Sequence, residues 1–157
     1  GKDTKGLMRE HQFGKVEIVS ITHPDESASE FDRMISCVES ILKKLDLPYR
    51  LVELCSGDLG FSSTYTIDFE IWMPGQNQFR EVSSCSNCKE FQSRRMMMRV
   101  KDEKNGKIFY PHTLNSSAVA VGRIIVAILE NFQNEDRSIE IPEILRKYMN
   151  GKKKNLI

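Results

Sequence analysis

The chain has 157 residues, 29% of them charged, with a formal net charge of +1 and four cysteines. This length suits a single domain with a buried core, and the near-neutral charge excludes a general electrostatic attraction to nucleic acid. The unevenly spaced cysteines do not indicate a disulfide scaffold, and no apolar run predicts a signal peptide or membrane span, so we expect a reducing, soluble compartment without a membrane partner.

The first third of the chain predicts a strand followed by a long helix. Residues 1–6 are polar and lead directly into a segment typical of a strand, which indicates a sequence that starts inside a larger domain. Residues 11–22 are rich in β-branched and aromatic types and predict a strand ending before His23-Pro24. The next segment, residues 25–46, predicts an amphipathic helix, because its apolar residues recur at helical spacing: Phe31, Met34, Ile35, Val38, Ile41, Leu42 and Leu45.

The middle of the chain predicts strands joined by turns. Residues 49–55 form one expected strand, and residues 65–73 alternate apolar and polar side chains before the turn at 74–77. We expect further strands at about 79–84, 95–101 and 107–111, with Met96, Met97 and Met98 mainly in the core. The turn Lys104-Asn105-Gly106 predicts that the last two strands form a hairpin.

Helical patterns return near the end of the chain. Residues 118–133 predict a helix with one buried face, and Pro142 suits the first turn of another short helix. The three lysines 152–154 then form a basic tail that we expect to be solvated. The order of elements predicts an α+β fold in which an antiparallel β-sheet is flanked by helices.

The first candidate site is a trio with a spacing of four residues. Arg9, Phe13 and Glu17 would share one face of a strand, because alternate residues of a strand point to the same side. An arginine can bind phosphate, an aromatic ring can stack on a base, and a carboxylate can bind an amine or a hydroxyl. An ordinary strand with a salt bridge explains the same pattern.

Two further segments carry polar groups suited to a nucleotide. Glu81 is followed after three residues by Ser84, and this pair of oxygen donors could hold Mg²⁺ on ATP phosphates. Arg123 lies in the predicted helix after Asn115 and Ser117, where a guanidinium could bind the γ-phosphate. Each of these segments is a weak signal by itself.

Together these segments resemble the seryl-tRNA synthetases, a class II aminoacyl-tRNA synthetase family. Arg-x-His-Gln-Phe-x-Lys-x-Glu at residues 9–17 is similar to the family's motif 2. Glu-x-Ser-Ser-Cys-Ser-Asn at 81–87 resembles its ATP-binding strand, and residues 114–131 resemble motif 3. The resemblance covers essentially the whole chain, with departures at Ser116, Ala118 and Ile124. It implies that residues 1–157 are the C-terminal part of the catalytic domain, without motif 1 and the N-terminal tRNA-binding coiled coil.

The resemblance also implies roles for individual residues. Arg9 and Arg123 are the implied catalytic residues, on the ATP phosphates, while Phe13 stacks on adenine and Glu81 and Ser84 hold Mg²⁺. The implied ATP site consists of Arg9, Phe13, Glu81, Val82, Ser83, Ser84 and Arg123. The implied serine site consists of Glu17, Asn115 and Ser117.

The activity that the resemblance implies is serine–tRNA ligation. The protein would activate L-serine with ATP and Mg²⁺ and transfer it to tRNA(Ser), with tRNA(Sec) as a further substrate. A full-length homodimer in the cytoplasm is implied, an organellar version remaining open. Two other classes stay open at this point: a truncated, non-catalytic paralogue that acts as a binding module, and a ligase that loads an amino acid onto a carrier protein.

Three local patterns have competing explanations. Cys85 and Cys88 form a Cys-x-x-Cys pair, but no second pair accompanies it at a suitable spacing, so we expect no metal there. Asn115-Ser116-Ser117 matches a glycosylation acceptor without a secretory signal. Asp68 and Glu70 could form an acid–base pair, but we expect both to pair with arginines on the polar face of a strand.

Overall fold

The computed structural model describes residues 6–156, so the polar segment 1–6, interpreted above as a start inside a larger domain, lies almost entirely outside the described residues. Its strands are β1 (Lys15–Thr22), β2 (Tyr49–Glu53), β3 (Tyr65–Met73), β4 (Gln78–Asn87), β5 (Val100–Lys101), β6 (Ile108–Phe109), β7 (His112–Ala120), β8 (Ser138–Glu140) and β9 (Lys154–Leu156). Its α-helices are α1 (Ser27–Lys44), α2 (Phe91–Arg95), α3 (Val121–Asn131) and α4 (Glu143–Arg146). No helix in this part of the chain is both long and apolar enough to cross a membrane.

Five strands form one antiparallel sheet in the order β1-β7-β4-β3-β2. Helices α1 and α3 pack on the same face of this sheet, because residues of both helices share one buried cluster with β3, β4 and β7. The strands β5 and β6 form a small separate hairpin, and β8 pairs with β9. The predicted α+β architecture, an antiparallel sheet with helices on it, is therefore confirmed.

The apolar stripe of α1 provides much of the core. Met34, Val38 and Leu42 are completely buried in it, and burying such a side chain contributes roughly 1.5–3 kcal/mol. A 3₁₀ turn at Pro24–Glu26 precedes the helix, and Asp46, with a φ of 55°, follows its end. The predicted helix thus exists, slightly shorter than residues 25–46.

The other face of the sheet carries polar side chains. In β3, Phe69 and Ile71 point into the core, so Asp68 and Glu70 point to the opposite, open face. Ser84 lies across from Asp68, and Glu81 lies across from Glu70, because the register shifts at this point and leaves Val82 as an extra residue. In a regular strand a spacing of three would place Glu81 and Ser84 on opposite faces, whereas this shift places both on the open face.

Several predicted boundaries are wrong. The helix predicted from residue 118 begins at Val121, because His112–Ala120 form the interior strand β7, which the sequence did not predict. Of the predicted strand 95–101, only Val100–Lys101 forms a strand, β5. α2 ends at Arg95, and the methionines follow in a turn where Met97 has a φ of 58°. Met96 and Met97 are 60% and 68% exposed, so the expectation that the methionines lie mainly in the core is wrong. The hairpin around Lys104-Asn105-Gly106 is confirmed.

The remaining elements agree with prediction more closely. β3 matches residues 65–73, and the turn after it contains a 3₁₀ helix at Pro74–Gln76. β4 is longer than the predicted 79–84, and α4 follows Pro142 as expected. Lysines 152–154 are exposed, although Lys154 begins β9.

Candidate active site

A cavity of about 370 Å³ opens where β1, β4 and β7 meet the start of α3. The segment before β1 forms one wall, and the extra residue of β4 and its neighbours form another. Its lining residues are Leu7, Met8, Arg9, Glu10, Phe13, Lys15, Glu81, Val82, Ser83, Ser117, Ala120, Gly122 and Arg123. Seven of the ten predicted site residues are in this set, the others being Glu17, Ser84 and Asn115.

Arg123 hydrogen-bonds to both walls of the cavity. Its side chain leaves the first turn of α3, and Nη1 donates to the main-chain oxygen of Glu81 at 2.6 Å. The same nitrogen lies 3.5 Å from the Glu81 carboxylate, and Nε donates to the main-chain oxygen of Met8 at 3.4 Å. The guanidinium therefore faces the cavity with its charge already partly neutralised by Glu81.

Arg9 and Phe13 reach the cavity by a different route from the predicted one. Both lie in the loop before β1, because that strand begins at Lys15 and not at residue 11. The shared strand face predicted for Arg9, Phe13 and Glu17 is therefore wrong. Arg9 is nevertheless exposed to the cavity, and Phe13 presents a ring that is 52% exposed.

Glu17 and Ser117 form a polar pair beside the cavity. They are directly opposite in the β1–β7 ladder, and Ser117 Oγ donates to the Glu17 carboxylate at 3.1 Å. Lys15 Nζ lies 3.3 Å from the same carboxylate. The Ser83 hydroxyl donates to the main-chain oxygen of Ser117. β1, β4 and β7 together thus hold one carboxylate and one hydroxyl next to the nucleotide-sized cavity.

Asn115 lies two residues from Ser117, on the same side of β7. Its Nδ2 contacts the Cys88 sulfur at 3.9 Å, and that sulfur is 4.0 Å from the hydroxyls of Ser62 and Ser63. Asn115 therefore lies near Glu17 and Ser117 but outside the lining of the cavity. The thiol is buried and acts as a packing partner of the amide.

The second thiol of the Cys-x-x-Cys pair is also buried. Cys85 lies opposite Ser116 in the β4–β7 ladder, and burial raises the pKa of its thiol to about 11. At neutral pH this cysteine is therefore a protonated core residue.

The acidic groups on the open face differ in their partners. Glu70 pairs with Arg50, at 2.7 Å, as predicted. Asp68 does not fit the prediction: its Oδ1 is buried and has no hydrogen-bond partner among the residues that the structure describes. Burial raises the pKa of the Asp68 carboxyl, the Ser84 hydroxyl lowers it, and the charges of Glu81 and Glu70 raise it further.

Six residues that line the cavity were not among the predicted site residues: Leu7, Met8, Glu10, Lys15, Ala120 and Gly122. Glu10 and Gly122 lie within or beside recognised segments, but neither has a pattern that distinguishes it from a surface residue. A side chain at Gly122 would collide with the Glu10 carboxylate, so this glycine lets Glu10 lie against the start of α3. Lys15 could have been found, because it lies two residues before Glu17 on a strand.

Residues 1–132 match the family model described as tRNA synthetase class II core domain (G, H, P, S and T), and the chain belongs to this family. Within it, the chain is similar to serine–tRNA ligases. It is 58% identical over 151 residues to the serine–tRNA ligase of Hydrogenobaculum sp., which covers 96% of this chain and 36% of that relative. The chain thus spans about a third of the length of such curated relatives.

Solved structures agree with this similarity. Seryl-tRNA synthetase from Pyrococcus horikoshii, complexed with ATP, superposes with a TM-score of 0.93 at 48% identity, covering 99% of this chain and 35% of that chain. Cytoplasmic serine–tRNA ligase from Naegleria fowleri, in complex with AMP, gives 0.89 at 38% identity, covering 97% and 36%. These matches give no support to the non-catalytic paralogue or the carrier-protein ligase.

Proposed function

We propose that the chain is the nucleotide and amino-acid half of the active site of a serine–tRNA ligase. The single observation that carries this proposal is the Ser117–Glu17 hydrogen bond of 3.1 Å beside the cavity. A carboxylate and a hydroxyl at this point can bind the ammonium and hydroxyl groups of serine. The identity to serine–tRNA ligases supports the same substrate.

ATP is the proposed ligand of the cavity. Phe13 supplies an exposed ring on which adenine can stack, and Arg9 and Arg123 supply two guanidinium groups for the phosphates. Val82 and Ser83 form the wall between them, next to the main-chain oxygen through which Arg123 is held. The ATP and AMP complexes of the solved relatives support a nucleotide here.

Glu81 and Ser84 are the proposed ligands of Mg²⁺. The observation that supports them is their common position on the open face, which the register shift at Val82 creates. Carboxylate and hydroxyl oxygens are the donors that Mg²⁺ prefers, alongside substrate phosphates and water. The chemistry that the ion supplies when bound is neutralisation of charge on the triphosphate.

The proposed reaction is attack by the serine carboxylate on the α-phosphate of ATP. A bond forms between the carboxylate oxygen and the α-phosphorus, and the bond to the β-phosphate oxygen breaks, which releases pyrophosphate. Glu17, Asn115 and Ser117 hold serine in line for this attack. Arg9 and Arg123 stabilise the charge that moves toward the leaving group, so alignment and electrostatics provide the catalysis. Arg123 must exchange its contact with the Glu81 carboxylate for a phosphate as ATP binds.

The transfer of serine to tRNA and the assembly of subunits belong to the full-length protein. We propose tRNA(Ser) as the acceptor, tRNA(Sec) as a further acceptor, a homodimer as the active form and the cytoplasm as its compartment. This chain covers 36% of the Hydrogenobaculum serine–tRNA ligase. The rest of such a relative is long enough to contain segments for tRNA binding and dimerisation.

Pyrophosphate exchange and tRNA charging by the full-length protein test this function. We expect exchange to depend on serine, with alanine and glycine about 5- to 150-fold poorer, because an unpaired buried polar group costs about 1–3 kcal/mol. Charging of tRNA(Ser) should follow. Exchange that prefers another amino acid, or transfer only to a carrier protein, would overturn the proposal.

A further inference from the structure

The open face of the sheet carries a row of carboxylates beside the proposed metal ligands. Asp68 and Glu70 belong to β3, and their cross-strand partners in β4 are Ser84 and Glu81. Cross-strand partners point to the same side of a sheet with their Cβ atoms about 5 Å apart. Asp68 is therefore the nearest carboxylate across the strands from the hydroxyl of Ser84.

The three carboxylates differ in how their charges are balanced. Arg50 lies 2.7 Å from Glu70, and Arg123 lies 3.5 Å from Glu81. Asp68 is half-buried, and its Oδ1 has no hydrogen-bond partner within the described range. It is thus the member of the row with capacity left for a ligand.

An unsatisfied buried carboxylate oxygen needs a physical explanation. Leaving such a group without a partner costs about 1–3 kcal/mol, and more when it is charged. Asparagine at this position would fit the same space with less repulsion from Glu70 and Glu81. Packing therefore does not explain the aspartate, and a ligand that arrives with positive charge or hydrogen-bond donors does.

A hydrated divalent cation carries both positive charge and hydrogen-bond donors. The described residues contain no group of three His, Cys, Asp or Glu side chains that could hold a metal ion alone. Mg²⁺ in nucleotide sites commonly binds one or two protein oxygens and substrate phosphates, and it retains several waters. Those waters are strong donors, and they need acceptors next to the ligands.

We propose that Asp68 is a positioning residue for the metal–ATP complex. It accepts hydrogen bonds from the Ser84 hydroxyl and from water on the cation, and so directs an oxygen lone pair of Ser84 toward the ion. The identity of the ligand rests on the proposed function. The role of Asp68 is a separate statement, because it concerns metal affinity and not the choice of amino acid.

Binding of Mn²⁺ to the full-length protein in the presence of ATP tests this role, with the free ion followed by electron paramagnetic resonance. Asp68→Asn should weaken Mn²⁺ affinity by about tenfold or more, which is the usual effect of losing an outer-shell partner. The control Glu53→Gln removes the same charge from an exposed residue of β2 and should leave the affinity unchanged. Metal-free AMP affinity should be unchanged in both variants.

Two further measurements separate positioning from a structural role. The unfolding midpoint of unliganded Asp68→Asn should equal or exceed that of the parent, because a buried charge has been removed. Asp68→Asn and Ser84→Ala should be non-additive in Mn²⁺ affinity, because both act through one oxygen. Mn²⁺ affinity within twofold of the parent, additive effects, or a lower midpoint with weaker AMP binding would each overturn the inference.

The same assay separates this inference from the proposed function. If the parent binds Mn²⁺ and ATP but exchanges with another amino acid, the serine assignment is wrong, and the Asp68 role is still decided by the variants. If the parent binds no Mn²⁺ with ATP, both proposals are wrong.

Discussion

Glu17 is the side chain on which the proposed recognition of serine depends most directly. It accepts from Ser117 at 3.1 Å and lies 3.3 Å from Lys15, so its carboxylate is oriented before any substrate binds. The sequence predicts a role for Glu17 through its motif, but the strand face that it was expected to share with Arg9 and Phe13 does not exist. The real neighbour that orients it comes from β7, one hundred residues later, and no local pattern contains that information.

Replacing Glu17 with Gln should raise the KM for serine by about 10- to 150-fold, because a hydrogen bond to a charged group is worth about 1.5–3 kcal/mol. The KM for ATP should change little, since Glu17 is not part of the cavity lining. Steady-state exchange kinetics of the full-length protein measure both constants. Glu53→Gln serves as the control, and an unchanged serine KM in Glu17→Gln would contradict the assignment.

Cysteine reactivity provides a second test, of the burial of individual side chains. Cys55 is exposed, whereas Cys85 and Cys88 are buried and the pKa of Cys85 is raised to about 11. Iodoacetamide at pH 8 should therefore label Cys55 in the folded protein at least about tenfold faster than Cys85 or Cys88. Peptide mass spectrometry measures this ratio, and urea-unfolded protein, in which all sites should react alike, is the reference.

Elements whose apolar residues recur at one clear spacing were predictable from the sequence, whereas β7, which lacks such a spacing, was not. Helix α1 repeats apolar residues on one stripe, and β3 alternates without interruption, so both follow from the sequence. Strand β7 is built from small and polar residues, and the apolar run of α3 begins inside it. Its position between β1 and β4 rests on pairing with distant segments, which local propensity does not encode.

The register shift in β4 is the clearest case of missing local information. The spacing of Glu81 and Ser84 suggests opposite faces of a regular strand, and only the extra residue at Val82 brings them together. The resemblance to a family proposed both residues as Mg²⁺ ligands without giving this reason, and that role stays a prediction. The arginine partner expected for Asp68 is absent among the residues that the structure describes, where its Oδ1 has no hydrogen-bond partner.

Helix α1 contains an ion pair that should make the stability of the fold depend on pH. Arg33 donates two hydrogen bonds to Glu30, at 2.7 and 2.6 Å, and these lower the pKa of Glu30 to about 2 from 4.5. A lowered pKa stabilises the fold above the ordinary pKa, and this contribution disappears as the pH falls from about 4.5 to about 2.

The variant Glu30→Gln should therefore be slightly less stable than the parent at pH 7, and the difference should vanish near pH 2. The difference should be small, because Arg33 is largely solvent-exposed and water screens the pair. Urea unfolding of both proteins across this range measures it. A difference that stays constant with pH would show that the ion pair does not contribute.

At the scale of the whole molecule, β1 and β2 are the two edge strands of the five-stranded sheet. β1 carries Glu17 and forms one edge, and its side chains Val16, Val19 and Ile21 are all more than half exposed. Exposed apolar residues on an edge strand favour pairing with other chains unless something covers them. The carboxylate of the proposed serine site thus lies on a strand with one unpaired side within the described part of the chain.

This arrangement predicts different behaviour for the 157-residue chain and the full-length protein. The proposed ATP cavity is lined by residues of this chain, so weak AMP binding should remain in the isolated chain. Serine-dependent exchange should fall to about 1% or less, because an edge strand without support does not hold Glu17 to the fraction of an ångström that catalysis requires. Size-exclusion chromatography should also show concentration-dependent self-association, which Val19→Lys on the exposed side of β1 should reduce. Robust exchange by a monomeric 157-residue chain would mean that β1 needs no covering segment and that the whole activation site is contained in these residues.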